Sequence, residues 1–356
     1  MSQDSQTTPI EHRVIAVIDN FMCDVPKIEI TKNLSIRHID TLPSNEQVDF
    51  SGEERTTTVF ELLKDTGESD FPPREFRTIS FQSSVGDVLE RTRERASYVL
   101  YWHFKERVPE PIKKHYDALL TPSQKFSSVL SALRILQDPI IGLYSQEHYF
   151  IEFPFPEQFR RFIQRPMNGY QLSDYIEDKP YILPSEHIEI LKNLYSAIEK
   201  TKHPAVQVAL TRLDNQYSRP HLADRLVDAV IALEALYAGN NSNEVTLRVG
   251  LRVSAHLGAG DPEARERYFE LFNLAYKLRS RLVHGSIYNA AEIEKEIQKQ
   301  GWKSIEAFMS SLDDLLRRAL HTILLNTQGR SLETELHKPL DRSIRRGEPF
   351  KSKIHS

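Results

Sequence analysis

The residues best suited to chemistry lie in one short run: Arg279, Ser280, Arg281, Leu282, Val283, His284, Gly285. An imidazole moves protons near neutral pH. A guanidinium grips a phosphate and stabilises the charge that builds up on it. Metal-free cleavage of RNA needs both. Five helical positions correspond to about 500°, which sets the two side chains about 140° apart around a straight helix. Either the long arginine reaches round, or the last turn deforms near Gly285. His284 is expected in a final helical turn, where the helix dipole favours its protonated form. By spacing alone, a structural arginine and histidine fit better, because helix ends collect cations. Arg330 and His337 form a looser pair with no supporting context.

Three further polar features break the apolar helical pattern. Glu234 follows Val230 by four residues and Val227 by seven, on the apolar stripe. Glu244, Arg248, Arg252 and His256 recur every four residues. Arg279 follows Phe272 by seven and Ala275 by four, again on the buried side. A buried charge is costly without a partner. The expected solution is a structural ion pair of Glu234 with Arg248 or Arg252, the rest of the line being a solvated stripe.

The elements that must position these residues change in texture along the chain. Residues 1–12 are polar and expected to be disordered. Residues 13–183 read as a mixed α/β domain. Strands are expected at Arg13–Phe21, within Lys27–Ile39 around a turn near Asn33, and at Phe76–Phe81. Helices are expected at Val88–Phe104 and Phe126–Leu136, and extended aromatic chain at Ile140–Phe155. Residues 184–327 read as successive helices: Ile188–Ile198, Val206–Tyr217, Pro220–Tyr237, Glu244–Leu257, one begun by Asp261 and Pro262 and ended by Gly285, and Ile305–Leu325. Residues 328–356 lack periodicity and are expected to be a flexible polar tail. The fold class is therefore α+β, with a mixed N-terminal domain and a helical bundle.

Within that bundle, three stretches carry a resemblance. They are Asp228-Ala-Val-Ile-Ala-Leu-Glu234-Ala-Leu-Tyr237, the Glu244-x3-Arg248-x3-Arg252 helix, and Ala275-Tyr-Lys-Leu-Arg279-Ser-Arg-Leu-Val-His284-Gly285. In this order the region of about residues 219–286 resembles the Apea-like branch of the HEPN superfamily. The resemblance covers well under half of the chain. It implies an all-α HEPN bundle and a metal-independent endoribonuclease working as a homodimer, both motif copies lining one cleft. It makes Arg279 and His284 catalytic and Ser280 auxiliary. It implies attack of a ribose 2′-hydroxyl on the adjacent phosphate, hence RNA as partner and not DNA. It also implies bacterial phage defence or a toxin system, in which the N-terminal domain would sense or guide and an inhibitory or sensor partner would act.

Bulk properties narrow the alternatives. A length of 356 residues suggests two domains, and 40% hydrophobic residues can bury real cores. A formal charge of -4 argues against a surface coated with nucleic-acid-binding charge, without excluding a small basic site. Cys23 is the only cysteine, so no Cys-based metal cluster forms. No glycine-rich loop leads into Lys-Ser or Lys-Thr, and the histidines lack ligand spacing, so no cofactor or metal is expected. With no apolar run of membrane length and no signal-peptide pattern, the expectation is a cytoplasmic protein without membrane contact. Two readings compete with the nuclease: a non-catalytic module binding a nucleotide, RNA or protein, and a scaffold whose function lies in the α/β domain.

Overall fold

The computed structural model describes residues 9–19, 21–38, 41, 98–107, 115–137, 142–152, 160–166, 181–219, 221–239, 244–286, 290–327 and 330–351. The chain divides into two compact units. One comprises Met1–Ser127, Ile141–Gln171 and Pro180–Ile188, and the other Ser128–Ile140, Leu172–Lys179 and Glu189–Ser356. Residues 128–140 and 172–179 thus group with the helices rather than with the sheet.

The first unit is built on strands β1 (Pro9–Asp19), β3 (Lys27–Glu29), β4 (Leu34–His38), β5 (Tyr98–Arg107), β6 (Gly142–Glu152) and β7 (Arg160–Pro166). They form one sheet in the order β3-β4-β5-β1-β6-β7, every neighbouring pair antiparallel. Its core is a cross-strand row. Ile28 lies opposite Ile36, Ile36 opposite Leu100, and Leu100 opposite Ala16, all buried. Register is fixed because a one-residue slip would turn this row outward. Strands β2 (Phe21–Cys23) and β8 (Tyr181–Leu183) pair separately and in parallel.

Two expectations for this unit need correction. The chain from Pro9 is already strand, so residues 9–12 are not disordered. Residues 98–104 are strand β5, not the end of a helix. The run Tyr98-Val-Leu-Tyr-Trp-His-Phe suits a strand paired on both edges, where β-branched and aromatic side chains fit the pleat. The strand expected at Phe76–Phe81 and the first part of that helix, residues 88–97, lie outside the described residues.

The second unit is helical. It holds the later part of α1 (His115–Leu136), then α2 (Ile188–Lys200), α3 (Pro204–Ser218), α4 (Leu222–Tyr237), α5 (Val245–Leu257), α6 (Pro262–Val283), α7 (Ala290–Gln298), α8 (Ile305–Thr327) and α9 (Lys338–Arg346). Among the described residues the chain is mostly helical with a strand-containing N-terminal region, compatible with an α+β architecture. Helix α4 is central, packing against α3, α5, α6 and α8. Its inward residues Leu226, Ala229, Val230, Leu233, Leu236 and Tyr237 follow helical spacing. Buried and half-buried carboxylates of this unit meet arginines. Asp228 faces Arg212 at 2.7 Å and Arg219 at 3.4 Å, and Asp214 faces Arg134 at 2.9 Å. Burial holds the Asp214 carboxyl above its ordinary range, and Arg134 and the Ser131 hydroxyl pull it partly back.

The C-terminal segment also departs from expectation. Residues 333–337 form a π-helical turn leading into α9, which packs on α5. Leu332, Leu336 and Leu340 recur every four residues and are buried, as is Phe350. This apolar stripe, not a polar tail, decides the segment's fate.

Candidate functional site

Helix α6 carries the Arg279–His284 run between two well-formed caps. At its start the Asp261 carboxylate accepts the Ala264 N–H at 3.0 Å, and Pro262 occupies the first turn. At its end the Gly285 N–H donates to the Leu282 carbonyl at 3.1 Å, and the Ser286 N–H to the Arg281 carbonyl at 2.8 Å. These two bonds are the Schellman pattern, which needs a left-handed residue after the cap. Gly285 supplies it with φ +70°. His284 is the capping residue, with φ -89° and ψ 6°.

The cap decides where the two principal residues go. His284 is exposed, and its ring has no partner among the described residues. Arg279, five residues earlier, turns toward α4. Its Nη2 lies 3.9 Å from Glu234 Oε2, with the two side chains 25% and 20% exposed. The Arg279 guanidinium also stands 6.0 Å from the centre of the Tyr276 ring, and its buried Nε has no hydrogen-bond acceptor. The helix continues to Val283, so about 140° still separates Arg279 from His284 around it. One chain therefore joins Arg279 to Glu234 but does not bring Arg279 and His284 together. Ser280 contributes its carbonyl to the His284 N–H at 3.0 Å. Arg281, by contrast, is engaged by Glu296 at 2.9 Å.

The electrostatics of the pair are mixed. Burial raises the Glu234 carboxyl above its ordinary 4.5, and the Arg279 charge lowers it by less. At 3.9 Å the contact is at the limit of an ion pair and far from the forked, bidentate geometry that saturates a guanidinium. Arg279 keeps donors that an anion can use.

The expected pairing of Glu234 with Arg248 or Arg252 is not what forms. Arg252 is buried and grips Asp341 of α9 with two bonds, Nε to Oδ1 and Nη2 to Oδ2, both 2.8 Å. Its Nη1 donates to the carbonyls of Tyr237 at 2.6 Å and Ala238 at 3.2 Å. Arg248 donates to the same Ala238 carbonyl at 3.2 Å, and His337 Nε2 to the Leu236 carbonyl at 2.8 Å. Three successive carbonyls at the end of α4 thus receive cationic or imidazole donors, where a helix leaves carbonyls unsatisfied and its dipole is negative. Gly239 follows in the left-handed region at φ +69°, and a Cβ there would meet Arg252 Nη1 at 3.1 Å. The Glu244–His256 line is accordingly not a solvated stripe, since Arg252 and His256 are buried.

Spacing alone does not point to Asp341, and it offers His337 only as the loose partner of Arg330. Asp341 sits among Lys338, Arg342, Arg345 and Arg346, which makes the segment look like solvated charge. The usable signal was the leucine stripe at 332, 336 and 340. Among the described residues, no group of three or more His, Cys, Asp or Glu is placed to hold a metal ion, and no helix is long and apolar enough to cross a membrane. Compared with family models, curated proteins and solved structures, the chain matches none.

Proposed function

We propose that the helical unit is a metal-independent endoribonuclease of HEPN type that works as a homodimer. The observation that carries this reading is the contrast along the end of α6. Arg281 is neutralised by Glu296, whereas Arg279 is only loosely met by Glu234 and His284 stands exposed without a partner among the described residues. A cation with spare donors and an open imidazole, on one capped helix end, are the two groups phosphodiester cleavage uses.

The chemistry follows from their roles. An imidazole accepts the proton of the ribose 2′-hydroxyl as that oxygen bonds to phosphorus. The phosphorus–O5′ bond breaks, leaving a 2′,3′-cyclic phosphate, and a protonated imidazole delivers its proton to O5′. Arg279 balances the extra charge on the phosphoryl oxygens, and the Ser280 hydroxyl is available as an auxiliary donor. Two proton transfers call for two imidazoles, and one chain offers one His284. A two-fold pairing of α6 ends supplies the second and also answers the 140° divergence within a chain. Val283, 55% exposed beside His284, gives that pairing apolar surface. A cytoplasmic setting with RNA, a role in defence or as a toxin, and a sensor or inhibitory partner belong to the same reading.

Purified protein should cleave RNA in EDTA and leave cyclic phosphate ends. Arg279→Ala and His284→Ala should each lower the rate by about 10²–10⁴-fold, the range for a lost acid–base or charge-stabilising group. RNA with a 2′-deoxy sugar at the cleaved position should resist. Undiminished cleavage by both folded variants would sink the proposal. One observation favours a second reading, a non-catalytic nucleotide-, RNA- or protein-binding module: the Glu234 carboxylate already occupies part of Arg279. That module would bind and dimerise without turnover.

A further inference from the structure

A second basic surface lies on the same helix, outside the Arg279–His284 run. An open groove of about 890 Å³ runs between α6, the turn joining α7 to α8, and the first half of α8. Arg267, Tyr268 and Lys277 line one wall, and Trp302, Ser311 and Asp314 the other. Arg267 and Lys277 are exposed, and neither meets a carboxylate within ion-pair distance among the described residues. Asp314 is held by Arg318 at 2.7 Å and by Arg317 at 3.4 Å. That leaves the exposed Glu270 as the lining carboxylate opposed to two cations. The rings are fixed. Tyr268 accepts a bond from Arg318 Nη1 at 3.0 Å, and Trp302 stands edge-to-face against Phe308 at 5.2 Å between centroids. Tyr268 and Trp302 are each only part-buried.

We propose that this groove binds a segment of single-stranded RNA, with Arg267 and Lys277 on its phosphates and Trp302 and Tyr268 against its bases. The inference rests on reading the helical unit as RNA-facing and adds where the strand lies. Ten residues separate Arg267 from Lys277, about 15 Å along the axis. That is the reach of a few nucleotides of an extended strand. Seven residues further, about 10 Å on and within about 20° of Lys277 around the helix, is His284. Arg267 stands about 80° from Lys277 around the helix, so the track from the groove to the exposed imidazole winds about a quarter-turn around α6. Spaced cations with interleaved aromatic faces are how sequence-tolerant single-strand sites are built. A groove of this size suits an unstacked strand, whereas an A-form duplex hides its bases from aromatic contact.

The test uses the full-length chain carrying His284→Ala, so that RNA stays intact, in EDTA. A labelled single-stranded 12-nucleotide RNA is titrated by fluorescence anisotropy between 50 and 200 mM salt. Adding Arg267→Gln with Lys277→Gln should weaken binding about tenfold or more. It should also flatten the slope of log affinity against log salt by about 1.4, two contacts at about 0.7 each. Trp302→Leu should weaken binding about fivefold or more with the slope unchanged, as lost stacking does. Unchanged affinity and slope in the folded Arg267/Lys277 variant overturns the groove, as does absence of RNA binding. So does displacement of the strand by micromolar AMP, which marks a mononucleotide site. If binding depends on the groove while the unsubstituted chain cleaves no RNA, the groove stands and the nuclease reading falls.

Discussion

Arg279 of α6 and Glu234 of α4 face each other at 3.9 Å, each about four-fifths buried. The contact ties the candidate catalytic arginine to the central helix of the bundle. Its sign with pH is set by burial, because burial raises the Glu234 carboxyl more than Arg279 lowers it.

Glu234→Gln tests that sign. A carboxyl whose pKa is higher folded than unfolded favours the fold when protonated, and that contribution is lost as pH rises through the folded value. The wild type should therefore lose stability relative to Glu234→Gln as pH rises from the ordinary carboxyl range through the raised folded value. Urea unfolding of both proteins across that range reads the difference. Arg279→Gln should raise the Glu234 carboxyl still further, since the lowering charge is gone, and a carbon-13 titration of that side chain would follow it.

Gly285→Ala separates backbone strain from contact. A Cβ at Gly285 meets nothing within 4 Å, so no clash arises. Only the left-handed φ of +70° opposes it. The expected loss is about 1–2 kcal/mol, with Gly285→Asn milder because asparagine tolerates this region. Calorimetry should show the order glycine, asparagine, alanine in falling stability. Because the same cap sets His284, RNA cleavage should fall with the Schellman bonds even where most of the helix remains.

What the sequence made legible was local. Asp261 and Gly285 bracket α6 as their residue types require, and the apolar stripes of α2 to α6 and α8 run as their spacing demands. Partners distant in sequence were not legible. Arg252 lies 89 residues from Asp341, and nothing in a four-residue period says whether an arginine faces water or a later helix. Glu234 had three arginines within reach of any bundle, and packing chose Arg279. Helix-forming charged residues precede strand β5 and extend a helical pattern into it, while its pairing on both edges is a tertiary fact.

The Arg252–Asp341 fork joins α5 to α9, and Asp341→Asn should show what it contributes. Bonding from Arg252 is the largest influence on the Asp341 carboxyl and holds it below its ordinary 3.8. A depressed carboxyl stabilises above its unfolded value, and that stability is lost as pH falls through the folded one. Asp341→Asn should cost up to about 1 kcal/mol at pH 7, because the carboxylate is 42% exposed and screened. The gap should close as pH falls through the lowered value of the folded carboxyl. Hydrogen exchange at pH 7 should show faster opening of residues 330–351 and of the last turn of α4, whose carbonyls Arg252 also binds.

His256 gives the strongest expected pH dependence. It is 6% exposed, its Nδ1 lies 2.7 Å from the Tyr237 hydroxyl, and Phe350 covers its ring edge-to-face at 5.5 Å. Burial lowers its pKa from 6.5 to about 4 and pushes the Tyr237 phenol up, so Tyr237 donates to a neutral imidazole. Between these two values the unfolded chain binds a proton that the folded chain does not. Stability is therefore full above about pH 6.5 and falls as pH drops toward 4, by about 3 kcal/mol at about 1.4 kcal/mol per unit. His256→Gln keeps a polar partner for Tyr237 and removes the titration. Urea midpoints should fall steeply from pH 7 to pH 4.5 in the wild type and much less in His256→Gln. Equal slopes in the two proteins would mean that His256 is protonated without penalty, and that its burial does not govern acid sensitivity.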